Sequence, residues 1–417
     1  MSRLLIKGGV PLRGEVRVKA AKNAVLPILA ASILTSEECE IRDVPKLTDI
    51  GNMLCIMQGL GTTCKREDDV LIVKSDDLTG YNVPTALAKE LRSSFFLLGP
   101  ILGRMRRAVV AYPGGCDIGV RPLDIHLKGL REMGIAIEES HGMIYCDGTR
   151  LKGANVALDF PSVGATENLM MAAVLAEGTT RISNAAKEPE IVDLQNFINA
   201  MGGKVSGAGS GKIVVEGVTK LHGCSYTPIP DRIVAGTLLI AGATCGGSVC
   251  ITNVIPEHIE PLLFKINKST CFLNVQSDKI TLSGQGRPRN FDKLETQPYP
   301  GFPTDLQSQM MVMMSVAEGT SVIVENIFET RFRIVRELTK MGAVITVKDR
   351  TAIVRGVKGL EGASVSAGDL RGGAALMIAG AKAEGYTTID GARYIDRGYE
   401  SVEKMFGALG VDVKRLG

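Results

Sequence analysis

AEGTT at residues 176–180 returns as AEGTS at 317–321 and as AEGYT at 383–387. Each copy follows a run of small and apolar residues typical of a buried helix, and each precedes a β-branched stretch typical of a strand. Glycine in the third position suits the left-handed backbone that ends a helix. The second helix of the repeating unit is amphipathic and ends in a similar way, at Met133-Gly134, Met201-Gly202, Met341-Gly342 and Leu409-Gly410. This self-similarity predicts an internal repeat.

Six units of about 70 residues account for the whole chain of 417 residues. Their first helices are predicted at 23–34, 93–102, 166–176, 232–243, 306–317 and 370–383. Stretches such as 310–314, which reads MMVMM, are apolar on all sides, and such a helix is buried on every side. We therefore predict an α/β fold of two inside-out barrels, with helices at the centre, sheets outside them and three βαβαββ-like repeats in each domain.

The domain boundary is predicted at a proline-marked stretch, 226–230, with a second crossing near 19–21. One domain would hold residues 21–229 and would carry Cys116. The other would hold residues 1–20 with 230–417, so that strands at 4–6 and 15–18 return to complete it.

Composition excludes several classes of protein. The net charge is only +3 and aromatic residues make up 5%, which argues against nucleic acid as a partner. The nine cysteines are an odd number and form no Cys-x-x-Cys pair, which argues against a disulfide framework or a zinc ribbon. With neither a signal peptide nor a membrane span in the sequence, we expect a cytoplasmic protein without a membrane partner.

Four of the six predicted helix starts carry a cation: Lys22, Arg92, Arg232 and Arg371. Helix N-termini favour anions, so a cation there calls for an anionic partner or ligand. If the three starts of each domain meet at one face, two opposed faces would form an anion-binding cleft. Asp231, Asp305 and Asp369 have a simpler alternative role as N-caps. The isolated histidines, His126, His141, His222 and His258, are interpreted as structural.

Cys116 lies in the segment GGCDIGVRP at 114–122, where glycines remove bulk around the thiol and Arg121 follows closely. A nearby cation lowers a thiol pKa, so the segment is typical of a reactive cysteine. The alternative is an inert thiol beside a turn. Arg121 and Arg397 have surface ion pairs as their alternative, and the small residues at 162–168 could contact a ligand or simply cap a helix.

Together these signatures resemble the enolpyruvyl transferase family along the whole chain, and GGCDIGVRP is the most specific of them. The other matching segments are Lys22-Asn23, SVGATEN at 162–168, Pro230-Asp231-Arg232, YPGFPTD at 299–305, Asp369-Leu370-Arg371 and IDRGYE at 395–400. The resemblance implies transfer of the enolpyruvyl group of phosphoenolpyruvate to the 3-hydroxyl of UDP-N-acetylglucosamine, with release of phosphate by addition and elimination. This is the first committed step of peptidoglycan synthesis.

The resemblance also implies roles for individual residues. Cys116 would be the proton donor and could form a covalent adduct with phosphoenolpyruvate, while Asp305 would be the general base. Lys22, Arg121 and Arg397 would neutralise phosphate and carboxylate. The further substrate-binding residues would be Asn23, Arg92, Pro122, Leu123, Asp124, Ile125, Ser162, Val163, Gly164, Arg232, Ile327, Arg331 and Arg371. No metal or organic cofactor is implied.

Two alternatives differ in chemistry. The first is the relative that uses shikimate 3-phosphate as acceptor, and the Cys116 segment argues against it. The second is a non-catalytic protein that binds anions or sugar nucleotides on the same scaffold. It would explain the cationic helix starts, but it gives no reason for Cys116 and Asp305 to occur with them.

Overall fold

The computed structural model describes residues 2–83, 92–112, 123–269 and 271–417. The chain divides into two compact units. The first, unit A, comprises the described residues within 20–229, and the second, unit B, comprises residues 2–19 with the described residues of 230–417.

Apolar helices form the centre of unit A. These inner helices are Lys22–Ser32, Leu98–Met105 and Val163–Val174, and the second one is preceded by a 3₁₀ turn at Arg92–Leu97. Every residue from Ala165 to Val174 is buried, including the polar residues Thr166, Glu167 and Asn168. Outer helices, which bury one face each, are Thr48–Gly59, Asp124–Glu132 and Pro189–Ala200.

Small sheets surround the inner helices of unit A. Their strands are Cys39–Ile41, Thr63–Glu67, Val70–Lys74, Arg107–Ala111, Ala136–Ser140, Met143–Asp147, Asn155–Ala157, Thr179–Ser183, Lys204–Ser206, Lys212–Glu216 and Ser225–Tyr226. In the third repeat Asn155–Ala157 runs parallel to Thr179–Ser183, and an inner helix connects them. Ile182 pairs with Val156 and Ile213, and all three side chains face the core.

Unit B follows the same plan. Its inner helices are Arg232–Cys245, Gln307–Val316 and Leu370–Lys382, and its outer helices are Glu260–Asn267, Val335–Lys340 and Val402–Ala408, with a short helix at Ala392–Ile395. Short 3₁₀ segments lie at Pro256–Ile259, Thr304–Leu306 and Arg331–Ile334. The strands are Arg3–Lys7, Leu12–Arg17, Gly247–Thr252, Cys271–Val275, Lys279–Gly284, Lys293–Glu295, Thr320–Val324, Val344–Lys348, Thr351–Arg355, Ser364–Ser366, Tyr386–Asp390 and Asp412–Leu416.

Two strands from the beginning of the chain complete sheets of unit B. Arg3–Lys7 lies between Tyr386–Asp390 and Asp412–Leu416 and is antiparallel to both. Leu12–Arg17 runs parallel to Gly247–Thr252. Hence two of the sheets that cover this unit's inner helices join strands more than 200 residues apart in sequence.

The glycines that follow the helices have two different roles. Gly134 and Gly342 have φ values of 86° and 91° and stand two residues after outer helices, where a left-handed cap is expected. Gly178 and Gly319 also have positive φ, but their inner helices already end at Val174 and Val316. The preceding Glu177 and Glu318 form isolated β-bridges, so the chain is extended before it reaches these glycines. Their prediction as helix caps is therefore wrong: they directly precede the next strands, which begin at Thr179 and Thr320.

No helix in the described ranges combines the length and the apolar character that crossing a bilayer requires.

Candidate active site

Lys22 begins an inner helix of unit A and is 9% exposed. Its Nζ lies 3.2 Å from Oδ2 of Asp49, which is 2% exposed and lies in the first turn of the outer helix Thr48–Gly59. Asp49 gains from the partial positive charge of its own helix start, whereas Lys22 faces the same charge unfavourably. The ion pair compensates the buried cation. Asn23 follows on the same helix start and is half-buried.

Asp305 is the centre of an ionic cluster in unit B. Its Oδ1 lies 2.5 Å from Nη2 of Arg331, and its Oδ2 lies 2.7 Å from Nη2 of Arg371. Both arginine side chains are almost fully buried, while the carboxylate is 25% exposed. Asp305 occupies the 3₁₀ segment Thr304–Leu306, and no side chain caps that segment. The alternative of Asp305 as an N-cap is therefore wrong, because its oxygens bind guanidinium groups.

Arg371 remains charged despite its burial. Burial alone would lower the pKa of its guanidinium, but the charge of Asp305 and the neighbouring Tyr399 and Asp231 raise it. Tyr399 is 1% exposed, and its hydroxyl lies 2.8 Å from Oγ1 of Thr237, on the inner helix Arg232–Cys245. Burial raises the pKa of Tyr399, and the guanidinium of Arg371 opposes that rise.

The other acidic helix starts of unit B do act as caps. Oδ1 of Asp231 accepts hydrogen bonds from the backbone N–H groups of Ile233 and Val234, and Oδ1 of Asp369 accepts from those of Arg371 and Gly372. Thus capping explains these two aspartates.

Arg232 begins its helix and is half-buried, with its guanidinium 5.6 Å from the ring centroid of Tyr299. This tyrosine is part of the YPGFPTD segment that leads to Asp305.

The structure brings together two groups of residues predicted to bind the nucleotide. Ser162 caps the inner helix Val163–Val174, with its Oγ accepting from the N–H of Ala165 at 3.4 Å. A Cβ on Gly164 would come within 3.1 Å of the ring of His126, so only glycine allows this packing without movement of the ring. His126 lies on the helix Asp124–Glu132, directly after the predicted residues Leu123, Asp124 and Ile125.

His126 is a structural residue, as predicted. It is 8% exposed, and its Nδ1 lies 3.1 Å from Nδ2 of Asn168. Its ring packs edge-on against the ring of Phe95, with 5.0 Å between the ring centroids. Asn168 also accepts from the N–H of Gly99 and donates to the carbonyl of Phe95. These contacts fix the start of helix Val163–Val174 against the second repeat.

The remaining predicted residues either lie outside the described part of the chain or are half-buried. Cys116, Arg121 and Pro122 lie outside the described residues, as does the side chain of Arg92, whose backbone begins a 3₁₀ turn. Val163 and Arg397 are half-buried; Arg397 precedes Tyr399 in the segment that follows helix Ala392–Ile395. Ile327 is also half-buried and donates its N–H to Oε1 of Glu325 at 2.8 Å.

Several residues of these clusters were not predicted as site residues, among them Asp49, Glu325, Thr237 and Tyr399. Asp49 is 27 residues from Lys22, and nothing in its local pattern indicates the pairing. Glu325 does leave a signal, since it is an acidic residue directly after the β-branched strand Thr320–Val324.

Among the residues that the structure describes, no group of three or more His, Cys, Asp and Glu side chains is arranged to hold a metal ion. The eight described cysteines are free thiols.

Comparison with known proteins connects these clusters to a family. A family model described as EPSP synthase (3-phosphoshikimate 1-carboxyvinyltransferase) matches residues 6–406. The UDP-N-acetylglucosamine 1-carboxyvinyltransferase 2 of Caldanaerobacter subterraneus is 49% identical over 416 residues, which cover 100% of both chains. The UDP-N-acetylglucosamine 1-carboxyvinyltransferase of Thermotoga maritima is 47% identical and covers 99% of each chain.

Solved structures show the same fold. The enolpyruvyl transferase NikO from Streptomyces tendae aligns with a TM-score of 0.89 at 22% identity, over 99% of this chain and 98% of its own. EPSP synthase from Acinetobacter baumannii aligns with a TM-score of 0.76 at 16% identity, over 100% of both chains. These alignments confirm the predicted fold class. With a family model that spans nearly the whole chain and full-length relatives close to half identical, the chain belongs to the enolpyruvyl transferase family.

Proposed function

We propose that this protein transfers the enolpyruvyl group of phosphoenolpyruvate to the 3-hydroxyl of UDP-N-acetylglucosamine and releases phosphate. The observation that carries the proposal is the identity of 46–49% over essentially the whole chain with proteins named UDP-N-acetylglucosamine 1-carboxyvinyltransferase. The reaction would commit the sugar nucleotide to peptidoglycan synthesis. We propose the cytoplasm as its location, because phosphoenolpyruvate and nucleotide sugars are made there.

Asp305 is the proposed general base for the sugar hydroxyl. Its oxygens bind Arg331 and Arg371 in the structure, and a carboxylate shared by two guanidinium groups is a weak base. The sugar hydroxyl would take over part of this hydrogen bonding on binding, which frees one oxygen to accept the proton. Because the carboxylate is 25% exposed while both arginines are buried, it is the accessible member of the cluster.

Phosphoenolpyruvate carries a phosphate and a carboxylate, and the proposed cations for it are Lys22, Arg121 and Arg397. Lys22 is held at a helix N-terminus by Asp49, so its ammonium group is positioned before the substrate arrives. An anion bound there would also be favoured by the partial positive charge of the helix start.

The chemistry proceeds in two balanced steps. In the addition, the oxygen of the sugar hydroxyl bonds to C2 of phosphoenolpyruvate, Asp305 accepts the hydroxyl proton, and Cys116 donates a proton to C3. In the elimination, the Cys116 thiolate takes a proton back from C3 and the bond from C2 to the phosphate oxygen breaks, which restores the double bond. Phosphate leaves with the proton that Asp305 holds, so both residues return to their starting states. A covalent adduct of Cys116 with phosphoenolpyruvate, also proposed, would form by addition of the thiol across the double bond: the sulfur bonds to C2, the π bond between C2 and C3 breaks, and C3 takes up the proton that the thiol loses.

The test is release of phosphate from phosphoenolpyruvate by the full chain, with UDP-N-acetylglucosamine and with shikimate 3-phosphate in parallel reactions. We expect release with UDP-N-acetylglucosamine only. Release with shikimate 3-phosphate alone would establish the alternative acceptor that the description of the family model names. No release with either acceptor would leave a non-catalytic binding protein, and binding of UDP-N-acetylglucosamine would then be measured by calorimetry.

A further inference from the structure

Glu325 directly follows the strand Thr320–Val324 and is 1% exposed. Its Oε1 accepts hydrogen bonds from Oγ1 of Thr296 at 2.9 Å and from the N–H groups of Ile327 at 2.8 Å and Phe328 at 3.0 Å. Its Oε2 accepts from Oγ1 of Thr304 at 3.0 Å. A buried carboxylate is costly unless donors surround it, and here they come from separate segments of unit B. Glu325 therefore holds those segments in register.

One side of this network leads to the proposed base. Thr304 directly precedes Asp305, and its hydroxyl donates to Glu325 while it accepts from Nε of Arg331 at 3.3 Å. Arg331 in turn binds Oδ1 of Asp305 at 2.5 Å. A hydroxyl has a single hydrogen to donate. Because Thr304 donates this hydrogen to the carboxylate of Glu325, its oxygen serves as the acceptor for Nε of Arg331.

The other side leads to the turn that carries Ile327. Oε1 of Glu325 accepts from the two successive backbone N–H groups of Ile327 and Phe328, which fixes the backbone of this turn. The ring of Phe328 lies 5.2 Å from the guanidinium of Arg331, so the turn also supports the arginine that binds Asp305. Both arms start from one carboxylate.

We infer that Glu325, acting through Thr304, is a positioning residue for the acceptor side of the reaction. It sets the Asp305–Arg331 pair and the Ile327 turn in one arrangement and has no part in the chemistry. This inference rests on the proposed function, in which Asp305 and Ile327 serve the sugar nucleotide. Within the described part of the chain, the hydrogen bonds of Glu325 and Thr304 include neither Lys22 nor Arg397, two of the proposed cations for phosphoenolpyruvate.

The test compares Thr304→Val, which removes the hydroxyl at nearly constant volume, with Thr304→Ser, which keeps it. Glu325→Gln and the double variant with Thr304→Val complete a double-mutant cycle. The matched control is Glu318→Gln, an exposed residue beyond the opposite end of the helix Gln307–Val316. Initial rates of phosphate release give kcat and the KM of each substrate, and thermal unfolding of every variant is recorded alongside.

We expect Thr304→Val and Glu325→Gln each to lower kcat/KM for UDP-N-acetylglucosamine by about 30- to 100-fold, since small misplacements of reacting groups have effects of this size. The KM for phosphoenolpyruvate should change by less than about threefold. Thr304→Ser should recover most of the loss, and the double variant should be little worse than either single one, because both substitutions break the same relay.

The outcomes distinguish failure of this inference from failure of the proposed function. A wild-type protein that releases no phosphate with UDP-N-acetylglucosamine overturns the proposed function and this inference together. An active wild type whose Thr304→Val variant behaves like Glu318→Gln overturns the inference alone. So does an equal rise in the KM of both substrates, or failure of Thr304→Ser to recover activity, because a general structural defect would have these effects. If Glu325→Gln fails to fold, the comparison of Thr304→Val with Thr304→Ser decides by itself.

Discussion

Lys22 and Asp49 form an ion pair of 3.2 Å in which both side chains are nearly buried, 11% and 3% exposed. Each belongs to the first turn of a helix, and the two helices come from one repeat. The pair therefore places an ammonium group at the one kind of helix position that electrostatics disfavours for it.

Replacing Asp49 with alanine should destabilise the protein by about 3 kcal/mol, because it leaves a buried cation without its paired carboxylate. Glu67→Ala is the control, since its pair with Lys65 is exposed and should contribute little to stability. Urea denaturation measures both free energies of unfolding. Equal effects of the two substitutions would show that burial of the Lys22–Asp49 pair has no energetic consequence.

Asp193 should make stability depend on pH. It is 2% exposed; its carboxylate accepts from the hydroxyl of Tyr226 and the N–H of Ile229, yet burial raises its pKa to about 6 from 3.8. The folded state therefore binds a proton more tightly than the unfolded state, so this contribution is full below pH 4 and is lost as pH rises through 6. A difference of about two pKa units between the folded and unfolded states corresponds to about 3 kcal/mol in the free energy of unfolding.

The measurement for Asp193 is the free energy of unfolding of wild type and Asp193→Asn at pH 4 and pH 7. The difference between wild type and variant should shift by about 2–3 kcal/mol in favour of the variant at the higher pH. Asp68→Asn, at an exposed turn where φ is 51°, is the control for the loss of a carboxylate charge outside the core. A constant difference for Asp193→Asn would contradict the raised pKa.

Arg287 should be important for stability without any part in the reaction. Its Nε donates to the carbonyl of Val316 and its Nη2 to those of Ala317 and Val357, at 2.9 to 3.1 Å. The first carbonyl ends an inner helix, where partial negative charge favours a cation. Arg287→Met should lower the free energy of unfolding by about 2–4 kcal/mol, since buried acceptors lose their donor. Arg289→Met, two residues away and exposed, should have little effect.

Cys116 should be the site of alkylation by the epoxide fosfomycin. Mass spectrometry of the intact protein and its peptides should locate one label on Cys116 and none in Cys116→Ser. Cys55, the exposed thiol among the described cysteines, supplies the control variant Cys55→Ser, which should still be labelled. Labelling that persists in Cys116→Ser would mean that another thiol is the reactive one.

The elements that repeat along the chain were predictable, because each repeat packs a buried inner helix against strands and an amphipathic outer helix in the same way. The inner helices lie within a few residues of their predicted ranges, since apolarity on all sides has one stable outcome, complete burial. The individual side-chain pairings between different helices and strands were not predictable. Asp49 meets Lys22 and Glu325 meets Thr304 only after the sheets and helices have packed, and neither pairing follows a helical or strand period.

The glycines show a subtler limit. Gly178 and Gly134 occupy similar places in the sequence and share a left-handed backbone, yet Gly178 directly precedes a strand and Gly134 follows a helix. Local preference predicts the conformation of the residue in both cases. Gly178 precedes a strand and does not cap a helix because Glu177 forms a β-bridge with Lys152, which keeps the chain extended just before the glycine.

Strand Arg3–Lys7 has consequences for biosynthesis. It is among the first parts of the chain to be made, but its neighbours in the sheet, Tyr386–Asp390 and Asp412–Leu416, are among the last. Unit A can therefore finish folding while the ribosome is still making the rest, and strand Arg3–Lys7 stays unpaired until its two neighbours have been made.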